Sequence, residues 1–202
     1  MPMAVIEILG SGRIDERESA FPMAVQLPGG DLLCSFGVGG GALVTGHTEW
    51  ARSTDRGENW SIEGVILPLD EERGRANFLK LTLSEDRQQV YAYGAWIDSN
   101  TDEQFGKRDS RALLCRSLDG GHCWTETGEV PFPEDCPLEV SHGLLALEGG
   151  RLEAEDVRKF ERLDVIHVDL DVARFVIPHA VVQEGKPDRI DARRQSAGGV
   201  SQ

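Results

Sequence analysis

Arg52-Ser53-Thr54-Asp55-Arg56-Gly57-Glu58-Asn59-Trp60 and Arg116-Ser117-Leu118-Asp119-Gly120-Gly121-His122-Cys123-Trp124 share one pattern, R-S-x-D-x-G-x-x-W. Each stretch sits between runs that alternate apolar and polar residues, which is the period of a half-buried strand. The pattern therefore predicts a tight β-hairpin turn. The Asp carboxylate accepts backbone N–H bonds inside such a turn, and Ser does the same more weakly. Gly57 and Gly121 suit the positive-φ position that closes it. Trp60 and Trp124 then open the next strand, each with a large apolar ring to bury.

Working outward, the same organisation recurs. Residues 21–27 and 31–36 form a hairpin around Pro28-Gly29-Gly30, and residues 47–53 and 60–67 flank the first quoted turn. Residues 77–83 and 89–95 turn at 84–87, and 111–117 and 124–130 flank the second. A third round begins at 138–147 and turns at 148–150. Turns of one kind return at intervals of about 60 residues. Four strands per repeat is the signature of propeller blades. Beyond Glu153 the pattern degrades: residues 153–163 read as a helix, with Val157, Phe160 and Leu163 near one face. Residues 166–172 alternate as a strand, and 175–182 supply a fourth strand interrupted by Pro178. Residues 3–9 read as an additional first strand, and 184–202 as a disordered tail.

The two quoted stretches resemble the Asp-box, or bacterial-neuraminidase (BNR) repeat, of the sialidase-like β-propellers, with Asn59 and Cys123 where that family usually has Thr. The box residues are Ser53, Asp55, Gly57 and Trp60, then Ser117, Asp119, Gly121 and Trp124. The resemblance implies an all-β, sialidase-like propeller of about three four-stranded blades, spanning 15–67, 77–130 and 138–183, within one unit of residues 1–183. It implies a protein directed at glycans, with exo-α-sialidase-like glycoside hydrolysis as the ancestral chemistry. Asp-boxes lie on the face opposite the family's catalytic centre, so here they are structural.

Sialidase chemistry requires arginines around the substrate carboxylate, a Tyr–Glu nucleophile pair and an Asp acid/base. Arg17, in Arg17-Glu18-Ser19-Ala20-Phe21-Pro22, falls near the family's first carboxylate-binding Arg, though the Arg-Ile-Pro spacing is not kept; it also reads as an exposed Arg of a charged loop. The acid/base Asp is expected after the second strand, where the chain has Gly37-Val38-Gly39-Gly40-Gly41. Tyr91 and Tyr93 lie within a strand and read as packing residues. A second constellation, Glu139, Ser141 and His142, offers acid/base chemistry or polar loop closure, and strand alternation puts His142 on the opposite face from the other two. The chain is thus expected to be inactive alone. The alternative is a non-catalytic carbohydrate-binding or protein-interaction propeller fragment.

Composition narrows the partners. With 202 residues and a net charge of −14, neither nucleic acid nor an anionic membrane is expected as a partner. The expected partner is a glycan or other small carbohydrate. Residues 1–10 lack a basic start and a long apolar core, so no signal peptide and a cytoplasmic location are expected. Cys34, Cys115, Cys123 and Cys136 form no C-x-x-C pair, and neither a metal nor another cofactor is expected. Three blades alone leave two blade faces open. Either two chains associate as a homodimer that completes a propeller, or the chain is a fragment.

Overall fold

The computed structural model describes residues 11–39, 44–103, 107–130, 140, 143–158, 162–169 and 174–176. The described residues form twelve strands and no helix. The first sheet holds β1 (Ser19–Gln26), β2 (Leu32–Val38), β3 (His47–Ser53) and β4 (Ser61–Leu67). The second holds β5 (Arg75–Leu83), β6 (Val90–Asp98), β7 (Ser110–Ser117) and β8 (Thr125–Val130). The third holds β9 (Leu145–Leu147), β10 (Arg151–Arg158), β11 (Arg162–Asp169) and β12 (Arg174–Val176). Each sheet is an antiparallel meander in chain order. The fold is all-β and propeller-like.

Alternation along the strands decides which sheet each side chain meets. In β6, Val90, Ala92 and Trp96 join Leu33 and Trp50 of the first sheet in one buried cluster. Tyr91, Tyr93, Ala95 and Ile97, one residue out of phase, pack with Val140, Leu144 and Leu152 on the other side. The second sheet is therefore buried on both faces, which is why its strands read as nearly continuous apolar runs. Tyr91 and Tyr93 are packing residues, 3% and 1% exposed. Cys34 and Cys115 are buried as well, and burial pushes their thiols up to about 11 and about 12. Both are free, as is the exposed Cys123.

The two quoted turns are built alike. Ser53 Oγ accepts from Gly57 N at 2.8 Å and donates to Asp55 Oδ1 at 2.8 Å. Ser117 Oγ makes the same pair of bonds with Gly121 N and Asp119 Oδ1, again at 2.8 Å. The Asp carboxylates close the far side of each turn, accepting from Asn59 N and from Cys123 N at 2.9 Å. These bonds hold Asp55 and Asp119 down at about 2. Gly57 and Gly121 have φ of 93° and 96°, as the turn chemistry requires. The residue before each glycine is also left-handed, Arg56 at 64° and Gly120 at 72°. The β5–β6 turn is a shorter version, in which Ser84 Oγ donates to Asp86 Oδ1 and accepts from Gln89 N.

Two polar links pin the first sheet to the second. Asn77, 2% exposed, accepts at Oδ1 from Thr48 N (3.0 Å) and Thr48 Oγ1 (2.8 Å). Its Nδ2 donates to the carbonyls of Leu67 and Pro68 at 3.1 Å. At the other end of the sheets, Arg52 Nη2 donates to Gly120 O at 2.7 Å.

One expectation is overturned. Of residues 153–163, read as a helix, 153–158 and 162–163 instead belong to paired strands in which Arg151 lies opposite Asp169 and Val157 opposite Leu163. The physical reason is tertiary: β9 offers an unpaired edge to residues 151–153, and a ladder built on it outweighs local helix propensity. The additional strand at 3–9 and the tail at 184–202 lie outside the described residues.

Ser53 and Ser117 are each 1% exposed, so their turn bonds carry stability. Ser53→Ala and Ser117→Ala should each cost about 1–2 kcal/mol in urea denaturation, while Thr54→Ala should stay within about 0.5 kcal/mol of wild type. Indistinguishable midpoints for all three variants would contradict this. The contributions of Asp55 and Asp119 should be complete above the ordinary Asp value of 3.8 and disappear as pH falls through about 2.

Candidate functional site

The loops that are long and charged meet at one end of the sheets, and the tight turns lie at the other. Gly39 N donates to Glu18 O at 3.2 Å, which brings the β2–β3 loop against the segment leading into β1. Asn77 N donates to Gly46 O at 3.0 Å, and Ser99 N donates to Gly74 O at 2.7 Å. The described parts of the loops after β2, β4 and β6 thus share one end with Glu18, the last residue before β1. Long polar loops on a rigid scaffold are where binding residues collect.

Residues 11–18 run as a strap over the outer face of the first sheet. Ile14 packs on the cluster of Phe36, Val38 and Ala51, to which Trp60 also belongs. Three residues later Arg17 forks over Glu49: Nη1 donates to Oε1 at 3.0 Å and Nη2 to Oε2 at 2.6 Å. Its Nε donates to Asp15 Oδ2 at 2.8 Å, while Asp15 Oδ1 accepts from Arg17 N at 2.9 Å. His47 lies two residues before Glu49 on the same face of β3 and donates from Nε2 to Glu49 Oε1 at 3.0 Å. A carboxylate only accepts, so this bond leaves Nδ1 as the basic nitrogen of His47.

The electrostatics follow from these bonds. Arg17 holds the Glu49 carboxyl below its ordinary value, against a burial that acts the other way, and His47 adds to the effect. Arg17 likewise holds Asp15 low. Both carboxylates are ionised at neutral pH, and the guanidinium is held protonated more firmly than usual. Beside them opens a cleft of about 490 Å³, whose lining includes Asp15, Arg17 and Glu18 together with Ile14, Pro22 and Phe36. Such a wall offers ionic groups to hydroxyls and an apolar floor to a sugar ring face. Arg17 is half exposed at its rim. No group of His, Cys, Asp and Glu among the described residues is placed to hold a metal ion.

Arg17 is thus an arginine bound to carboxylates, but those of its own chain. None of the eight box residues lines this cleft, although Gly57 and Trp60 border a neighbouring cavity with Gly12, Arg13 and Ile14 of the strap. Glu139 and His142 lie outside the described residues. Sequence reading missed Glu49 and His47, which sit inside a strand. The signal was a charged residue at an alternate position of β3, between Thr48 and Trp50, where burial demands a partner.

Glu49→Gln removes the charge that Arg17 and His47 both face. At neutral pH it should cost about 1 kcal/mol, and less in high salt, because Arg17 is half exposed. Glu49 has a lowered value in the folded chain, so its contribution is complete above the ordinary value of 4.5 and is lost as pH falls through the folded one. The stabilities of wild type and Glu49→Gln, measured by urea denaturation, should therefore converge in acid. A constant gap from neutral pH down to about pH 2 would refute the ionic account.

No family model matches the sequence, and no curated protein matches it. Solved structures do. The α-L-arabinanase of Penicillium chrysogenum, complexed with arabinobiose, aligns over 74% of this chain at 19% identity and a TM-score of 0.52. An exo-β-1,3-galactanase from Clostridium thermocellum aligns over 77% at 10% identity and a TM-score of 0.57. A polysaccharide lyase of family PL25, an ulvan lyase, aligns over 78% at 10% identity and a TM-score of 0.53. The alignments cover 45%, 35% and 42% of those chains, so this chain spans less than half of each. At these identities the likeness shows a shared fold.

Proposed function

We propose that this chain is a carbohydrate-directed propeller module that binds sugar at its loop end and does not cleave it. The observation that carries this reading is the charge state of the cleft. Glycoside hydrolysis needs one carboxyl group protonated to release the leaving group. Asp15 on the cleft wall and Glu49 next to it are both tied to Arg17 and ionised, so neither has a proton to give. Glu18, the other carboxyl of the wall, is left without the second free carboxyl that hydrolysis needs. Arg17, already neutralised, is poorly placed to take a substrate carboxylate as well. What remains suits binding: an apolar floor, a rim of fixed charges and a rigid sheet behind them.

The finer assignment is to the sialidase-like propellers, with the two Ser-x-Asp-x-Gly-x-x-Trp turns as Asp-boxes and the three sheets as three blades. The repeated turn geometry and the long loops at the opposite end support it. Solved structures of this fold include two glycosidases and a lyase, so fold alone selects no reaction. The whole protein's chemistry, where further blades accompany this chain, is outside this proposal.

The test pairs turnover with binding. The purified chain should release no fluorophore from sialoside or arabinofuranoside substrates, and a glycan array should show saturable binding. Arg17→Ala should weaken that binding. Turnover well above background that Arg17→Ala abolishes would refute the proposal and make Arg17 a working substrate ligand.

A further inference from the structure

Two arginines hold the same place in successive sheets, and their surroundings differ. Arg52 precedes Ser53 in β3 and lies opposite Leu33 and Ser61; Arg116 precedes Ser117 in β7 and lies opposite Tyr91 and Thr125. Each faces the following sheet. Arg52 is fully neutralised there: Nη1 lies 3.1 Å from Asp31 Oδ2 and Nε 3.2 Å from Glu63 Oε2. Asp31 immediately precedes β2, and the residue immediately before β6 is Gln89. Glu63 is the third residue of β4, and the third residue of β8 is Thr127. Both carboxylates around Arg52 thus become neutral groups around Arg116. Arg116 is half-buried and has no hydrogen-bond or ion-pair partner among the described residues.

A guanidinium cannot shed its proton, so partial burial without a counter-charge is costly unless an anion completes it. Arg116 borders a cavity of about 200 Å³ between the second and third sheets, at the turn end of the molecule and apart from the strap cleft. Arg151 brings a second guanidinium to the same cavity. Gln89 Oε1 accepts from Tyr91 OH at 3.1 Å, which leaves its amide N–H groups as donors. Two carboxylates also line the cavity and keep their charge, but neither forms an ion pair with Arg116: each is turned to a neutral donor of its own surroundings. Asp86 accepts from Ser84 Oγ and Gln88 N, and Glu85 accepts from Gly149 N at 3.0 Å. Ala146 and Leu152 complete an apolar side.

We propose that this cavity binds the carboxylate of a sugar acid, with Arg116 as its bidentate partner and Arg151 and Gln89 as supporting donors. The planar fork of arginine matches a carboxylate, and the apolar wall accepts the face of the ring. The anion site stands on the Arg52–Arg116 contrast; the choice of a sugar among carboxylates rests on the carbohydrate reading above.

Calorimetric titration and thermal melting of the whole chain with glucuronate, glucose and acetate, at fixed ionic strength, test both parts. Glucuronate should bind and raise the melting temperature, and glucose should do neither. Arg116→Gln should weaken glucuronate binding at least tenfold, about the loss of one charge-assisted contact. Gln89→Asp, which supplies the counterpart of Asp31, should raise the melting temperature of the unliganded chain and abolish binding. Glucuronate binding unchanged in both variants overturns the site. Acetate binding as tightly as glucuronate overturns the sugar assignment and leaves the anion site. An array that shows no glycan binding at the strap cleft, with glucuronate binding intact here, would sink the module proposal alone.

Discussion

The structure depends on one buried amide. Asn77 uses its side chain on Thr48 and on two carbonyls at the end of β4, so β3, the β4 exit and β5 are tied by a single residue. Thr48 Oγ1 in turn accepts from Leu79 N at 3.0 Å, which continues the chain of bonds into the second sheet. Apolar contact between sheets fixes their distance but not their sliding. A directional, fully satisfied polar link in a low-dielectric interior does fix it. Arg52 supplies a second point of attachment at the far end, and two points on a rigid sheet set its orientation. The first sheet's loops and turns are aligned with those of the second for this reason.

Each sheet is a local meander that packs on its neighbours in sequence, so coupling runs from sheet to sheet. The polar links are strong between the first and second sheets and change character between the second and third. Val168 stands opposite Leu152 as Arg52 stands opposite Leu33, and Asp169 takes the ladder position of Ser53. The third sheet thus lacks both the Arg and the Ser of the repeated turn.

Much of this was legible in the residues. Ser53, Asp55 and Gly57 announce a turn because each has a chemical task within four positions, and short-range chemistry survives any tertiary context. The boundaries of the first eight strands follow from the turn residues between them, since strands such as β5 and β6 are buried on both faces. β10 was not legible, although part of β11 was: EAEDVRKFERL follows the helical period, and only a neighbouring edge decides against it. The pairing of Arg17 with Glu49 was not legible either. It spans 32 residues and depends on the strap crossing the sheet face, which no local pattern encodes.

One further property follows from the second turn. Cys123 is exposed, the usual condition for a thiol that reacts with oxidants, alkylating agents or a second copy of itself. Its sulfur, however, lies beside the Asp119 carboxylate, whose hydrogen bond and negative charge both push the thiol up from its ordinary value. The thiolate is the reactive species, so the same aspartate that closes the turn keeps the sulfur protonated and slow. A residue placed for architecture therefore also disfavours the reactive thiolate of an accessible cysteine.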